Sequence, residues 1–477
     1  MEKILDQRFL PARYFEEICA IPHGSFNEKP LSDYIVRFAQ EHGLRYKQYP
    51  NFNVIVYKPA SKGYEDKAPI MLQAHIDMVC EKMVGVEHDF KTDPLKLYIE
   101  NGFLHAKDTT LGADDGVGVA YMLSFLHDDS LPHPPLECVF TVQEEVGLIG
   151  SRDLDYSAIS SRRMIGLDEM GGNTCYVSAC GSQHMFLERS YETEKGFQPA
   201  FRLTVNGLIG GHSGVHINKE RGNAIKIAAR ALYLLRTRFG IRVGAVNGGG
   251  KDNVIPTSCE VMFTTDADCG EVSAYTEQLN SMFGTELEFS DAGVKVAVEK
   301  TKCEMVLTEK DSDSFIDFVY LLPDGFRHKS MKIEHLTTVS ENLANLQLHE
   351  GRAKVRYFAR SELDSYLDQM VEEVRLLCGI FGYELDLENR APGWKFKENS
   401  EMRRAVSEAY HAITGGELKS VAEHGGLELG YISGGLPGID IATIGPYCDG
   451  YHTPDERLDL KSFRDTYEVL KYTLKNL

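Results

Sequence analysis

Two spacings of apolar residues alternate along the first part of the chain. PARYFEEICAIP (11–22) and EKPLSDYIVRFAQEHGL (28–44) repeat apolar positions every three or four residues, as a helix with one buried stripe does, and Gly43 supplies a stop for the second. NVIVYK (53–58), PIMLQAHID (69–77), LECVFTVQEE (136–145) and RMIGLDEM (163–170) are instead short apolar runs closed by polar or acidic residues, the pattern of buried strands. Strands alternating with helices predict an α/β fold, a mixed sheet flanked by helices.

Near residue 190 the texture changes. FRLTVNGLIGGHSG (201–214) reads as an alternating strand running into a glycine-rich turn, and RGNAIKIAARALYLLRTRFG (221–240) as a helix. Two later passages resemble each other: VMFTT through ELEFS (261–290), and KVRYFARS through ELDLEN (354–389), each a strand, a turn, an acidic amphipathic helix and a strand. We read them as a degenerate tandem repeat of a small α+β unit. The chain then regains its first texture, with a helix in MRRAVSEAYHAITG (402–415), a strand and loop in GIDIATIGPYCDGYHTPDERL (438–458) and a closing helix from Phe463. The expected organisation is a first domain in two parts, 1–189 and 388–477, around an inserted domain at 190–387. A cleft between such domains is where small molecules often bind.

Composition narrows the function. The 477 residues carry a net charge of -20, which disfavours nucleic acid as a partner. No run approaches the roughly 20 apolar residues of a membrane span, and the N-terminus lacks the pattern of a signal peptide. The ten cysteines are scattered without a CxxC pair, as in reduced core thiols of a cytoplasmic protein.

Candidate chemistry gathers at strand ends. In Gln73-Ala74-His75-Ile76-Asp77 an extended backbone turns His75 and Asp77 to one side, so His75 can bind a metal while Asp77 orients the ring. Asp114, between Gly112 and Gly116, can present both carboxylate oxygens to two cations; helix capping is the plainer use of an aspartate there. Glu144 and Glu145 are expected to point apart, one as ligand and one as base, although a solvated acidic pair is commoner. Asp168 follows the strand MIGL, and His452 lies in the last loop. Five donors in the order His, Asp, Glu, Asp, His, nearly all just past an apolar strand, converge if the strands share a sheet edge. Such donors suit zinc, with manganese or cobalt as substitutes.

These motifs, with IPHGSFNEKPLSDYIVRFAQEHGL near the start and GGHSG in the insert, resemble the M20 family of metallopeptidases, and within it the aminoacyl-histidine dipeptidases. The resemblance spans essentially the whole chain. It implies a zinc-peptidase-like catalytic domain with an inserted lid and two zinc ions per chain. His75 and Asp168 would hold one ion, Glu145 and His452 the other, and Asp114, through a cis peptide to Asp115, would bridge them. It further implies that Glu144 moves the proton of the attacking water, that His212 donates to the carbonyl oxygen, and that Asn253, Arg360, Gly425 and Gly426 bind substrate. Smaller members carry an arginine in a single-unit lid, whereas here the first repeat reads Thr264-Thr265-Asp266 and the arginine occurs in the second.

The function so implied is hydrolysis of dipeptides, of Xaa-His type with a broad choice of first residue. A deacylase or aminotripeptidase using the same metals is the alternative. A scaffold that had lost the chemistry would show damaged ligands, and none is damaged. A homodimer is left open.

Overall fold

The structure, a computed structural model, describes residues 3–197 and 199–477, and the counts given are of those. The chain forms two compact units, one holding the chain up to Ser178 with Lys395–Ala422 and Leu427–Leu477, the other Ala179–Trp394 with Glu423–Gly426. The second takes in the strands Gly181–Ser190 and Glu384–Ala391, which straddle the boundaries at 190 and 387 read from the sequence.

The first unit is built on a six-stranded sheet in the order Arg45–Gln48, Val54–Lys58, Leu136–Thr141, Ile70–His75, Arg163–Gly166, Asp440–Thr443. The two pairings at its start are antiparallel and the remaining three parallel. Val54–Lys58, Leu136–Thr141 and Ile70–His75 are buried throughout, which is why their sequences are apolar runs rather than alternations. Lys58 is accommodated at the end of the helix Ala113–His127: its Nζ donates to the carbonyls of Phe125 at 2.9 Å and Leu126 at 3.3 Å, the negative end of the helix. The parallel strands ending at Thr141, His75 and Gly166 bring their C-terminal ends to one edge.

The second unit is a nine-stranded sheet with four long helices. From one edge its strands run Lys295–Thr301, Ala200–Asn206, Cys259–Thr264, Arg242–Gly249, then Thr337–His349, Arg352–Ser361, Gly181–Ser190, Glu384–Ala391; Gly325–Lys329 pairs with Thr337–His349 off this path. Taken in chain order, each group of four is strand, helix, strand, strand, helix, strand in the spatial order 4-1-3-2, and the groups meet as mirror sequences along the antiparallel ladder Val246↔Leu348 to Gly249↔Asn345. The repeat read from the sequence is therefore present, but nested: residues 200–301 are inserted between the first strand and the first helix of the other copy. The insertion leaves and returns through a short ladder, Thr193↔Leu307 to Lys195↔Met305. One expected strand is absent. ELEF (286–289) ends the helix Cys269–Glu286 and passes into a turn, and the fourth strand of that copy is Lys295–Thr301. An apolar alternation only two side chains deep did not outweigh continuation of the helix.

Candidate metal centre

His75 is the last residue of its strand, and its Nε2 lies 3.0 Å from Asp114 Oδ1. The other oxygen of Asp114 is 3.2 Å from His452 Nε2, which in turn lies 3.0 Å from Glu145 Oε1. Asp168, two residues past Gly166, completes the ring. Three sets of donor atoms lie within 4.8 Å of one another: His75, Asp114 and Asp168; His75, Glu144 and Glu145; Asp114, Glu145 and His452. Asp114 is common to the first and third. The peptide bond from Asp114 to Asp115 is cis. The two aspartates divide the readings open for this segment, since Asp115 Oδ1 accepts the Gly118 N–H at 3.1 Å and caps the helix while Asp114 faces the imidazoles.

Asp77 organises the neighbourhood. Its carboxylate accepts the N–H groups of Glu144 at 3.0 Å and Glu145 at 3.4 Å and the Ser25 hydroxyl at 2.8 Å, and Oδ1 is 3.5 Å from His75 Nδ1. The closer partner of Nδ1 is the Asp77 carbonyl at 3.1 Å, which sets that nitrogen as the protonated one and leaves Nε2 for a ligand. The expectation that Glu144 and Glu145 point apart is corrected. The strand ends at Thr141 and Gln143 turns the backbone with φ 52°, so both glutamates offer an oxygen near His75.

Electrostatics fit a cationic occupant. Burial and the neighbouring Asp114 push the Asp168 carboxyl well above the usual range, and burial likewise raises Glu144, with Asp168 adding to it. Burial works against Asp114 too, but His452 and His75 hold it below the usual range. His452 is raised to about 10 by Asp114 and Glu145. Four carboxylates and two imidazoles gathered this closely are an arrangement that divalent charge offsets.

In the second unit the predicted residues form another group. The pair Gly211-His212 is bridged to Val254-Ile255, and Ser213 N–H donates to the Asn253 carbonyl at 2.8 Å, so His212 and Asn253 share one small structure. Gly214 N–H donates to His212 Nδ1 at 3.2 Å, leaving Nε2 to carry the proton. Burial, with Arg360 and His216 adding to it, lowers the pKa of His212 and favours the neutral ring. Arg360 is buried beside Phe358, and its Nε has no hydrogen-bond partner among the described residues. The Gly425 carbonyl accepts Cys180 N–H at 2.9 Å, and Gly426 is exposed.

Comparison with known proteins gives the family. Residues 71–476 match the model of Peptidase family M20/M25/M40. This chain belongs to that family. The peptidase is 30% identical over 469 residues to the cytosol non-specific dipeptidase of Escherichia coli (strain K12), covering 97% of this chain and 96% of that one. The crystal structure of aminoacylhistidine dipeptidase from Vibrio alginolyticus superposes with a TM-score of 0.93 at 29% identity, covering 98% and 96% of the two chains. An aminopeptidase of Bacillus cereus shares the fold, with a TM-score of 0.56 at 16% identity.

The peptidase also uses residues that sequence reasoning missed. Glu456 accepts the N–H groups of Leu111, Gly112 and Ala113 at 2.7, 3.0 and 2.8 Å, tying the His452 loop to the Asp114 loop. Glu428 is buried and accepts from Gln73 at 2.6 Å and Thr141 at 2.9 Å. The only signal was position, Glu456 four residues after His452 and Glu428 just after Gly425-Gly426. Their partners are distant in sequence.

Proposed function

We propose that this chain, a dipeptidase by its family and its full-length relatives, works with two divalent metal ions held by His75, Asp114 and Asp168 on one side and Asp114, Glu145 and His452 on the other. The observation that carries the reading is Asp114, which turns one oxygen to each of two imidazoles and belongs to both donor sets. Imidazole and carboxylate donors suit zinc, with manganese or cobalt as substitutes. When bound, such a pair supplies Lewis acidity that makes a water nucleophilic near neutral pH and polarises the scissile carbonyl.

The chain's own groups do the rest. Asp77 holds the His75 ring from its Nδ1 side. Glu144 stands beside His75 but outside both sets that contain Asp114, free to take a proton from water and pass it to the leaving amine. His212, neutral and protonated on Nε2, is suited to donate to a carbonyl oxygen as negative charge grows there. Asn253, Arg360 and the amides of Gly425 and Gly426 are assigned to the substrate carboxylate; the unused Nε of buried Arg360 supports this. Substrates are of Xaa-His type with a tolerant first position, a preference taken from the names of the two relatives. The designation of the Escherichia coli relative as a cytosol enzyme, with eight buried thiols here, suits a reducing cytoplasm.

The test is to measure bound metal and hydrolysis for the wild type and Glu144→Gln on aminoacyl-histidines, other dipeptides, tripeptides and N-acyl amino acids. We expect about two ions per chain, cleavage of dipeptides, and a loss of roughly a hundredfold or more in kcat for the variant with metal retained. Wild type that binds no metal and cleaves nothing sinks the reading; faster cleavage of tripeptides or N-acyl amino acids replaces the substrate class.

A further inference from the structure

We infer that Asn342 is a positioning residue for His212 and Asn253, an assignment that rests on the roles just given to those two. Asn342 lies in the strand Thr337–His349 of the outer copy of the repeat, whereas the residues it grips belong to the inserted copy. Its side-chain Nδ2 donates to the carbonyl of Asp252 at 2.9 Å and to that of Val254 at 3.0 Å, closing on both sides of Asn253. Two acceptors and no donor face this nitrogen, so the amide cannot be turned round without setting oxygen against two carbonyl oxygens. Its own oxygen is buried and has no hydrogen-bond partner among the described residues, so the side chain meets its burial cost at one end only. An amide kept buried under those terms is placed for those two bonds.

The grip extends to the proposed working groups in one step. The Asn253 carbonyl between the two gripped carbonyls accepts Ser213 N–H, and Val254 is bridged to His212. Two further side chains of the outer copy hold the same tip: His184 Nδ1 lies 3.1 Å and Arg356 Nη1 3.5 Å from the Asp252 carboxylate. The outer copy is therefore more than a spacer carrying Arg360. It fixes the loop through which the inner copy presents His212 and Asn253.

Asn342→Asp keeps the shape and removes both donors, while Asn342→Ser is too short to reach. Each is compared with wild type in kcat, KM, metal content and Tm, alone and combined with His212→Ala. We expect Asn342→Asp to lower kcat/KM by about thirty- to a hundredfold through misplacement of the loop, with metal content unchanged, and to cost several-fold less in the His212→Ala background, where only Asn253 is left to misplace. Asn342→Ser carries the measurement if the aspartate variant does not fold. Either variant within threefold of wild type, or an equal factor lost with and without His212, overturns the assignment. Wild-type activity in His212→Ala alone would remove the role given to His212, a result separate from both.

Discussion

Asp114 Oδ2 and His452 Nε2 stand 3.2 Å apart across 338 positions of sequence. The other four proposed donors come from the first 168 residues, so the last one reaches them only after the chain has built the whole second unit. Metal held by this pair would tie the C-terminal segment to the N-terminal one. Chelation is therefore expected to lower Tm and to speed amide hydrogen exchange in 440–477 as well as around His75, both reversed by added metal. Unchanged exchange in 440–477 after complete metal removal would count against His452 as a ligand.

Asp77 serves four groups at once: His75, Glu144, Glu145 and Ser25. Asp77→Ala should weaken metal binding by about ten- to a hundredfold and lower kcat beyond that, because the loop carrying both glutamates loses its anchor along with the His75 ring. Metal titration of the apoprotein, run beside kinetics at saturating metal, separates the two effects.

Glu456 fills a nest of three consecutive N–H groups in the loop that leads to Asp114. Glu456→Ala leaves buried donors without partners and is expected to cost about 3 kcal/mol or more in stability. Glu456→Gln, which keeps an acceptor oxygen, should cost less. Urea unfolding of the two variants gives the comparison, and equal midpoints would show that the three bonds contribute little.

His424 is buried with Nε2 2.7 Å from Ser340 Oγ and Nδ1 2.9 Å from Cys180 Sγ, and burial, with Arg360 adding to it, pulls its pKa down to about 3. Unfolded, it titrates near 6.5. Between these values the unfolded chain binds more protons, so the stability His424 contributes is complete above about pH 6.5 and is lost as pH falls toward 3, at up to about 1.4 kcal/mol per unit. His424→Gln should flatten the acid limb of stability against pH by about one proton relative to wild type. Parallel curves for the two proteins would mean that the imidazole is free to charge in the folded state.

Much of this architecture is legible in the sequence. The helices at the N-terminus and the helix Ala224–Phe239 follow from local periodicity, because a helix buries one stripe, and the strands ending near His75, Glu144 and Asp168 follow from short apolar runs, because they are buried on both faces. Three of the five proposed donors, His75, Glu145 and Asp168, are visible for a related reason: a polar residue at or just past the end of an apolar strand stands at a sheet edge. The nesting of the repeat is hidden, since it depends on which strands pair, and the strands Gly181–Ser190 and Ala200–Asn206 read alike however their ladders are arranged. The turn that brings Glu144 and Glu145 together rests on a left-handed Gln143, a conformation a glutamine does not advertise.

The sequence by itself thus determined most of the elements, the types of the proposed donors and, through resemblance, the family. Only the tertiary structure decided which carboxylate oxygen faces which imidazole, that Glu456 ties the last loop to the Asp114 loop, and that Asn342 grips the backbone around Asn253. The physical reason is range. Periodicity reports burial of a residue against its own element, whereas a hydrogen bond between residues 90 or 343 positions apart exists only once the chain has closed upon itself.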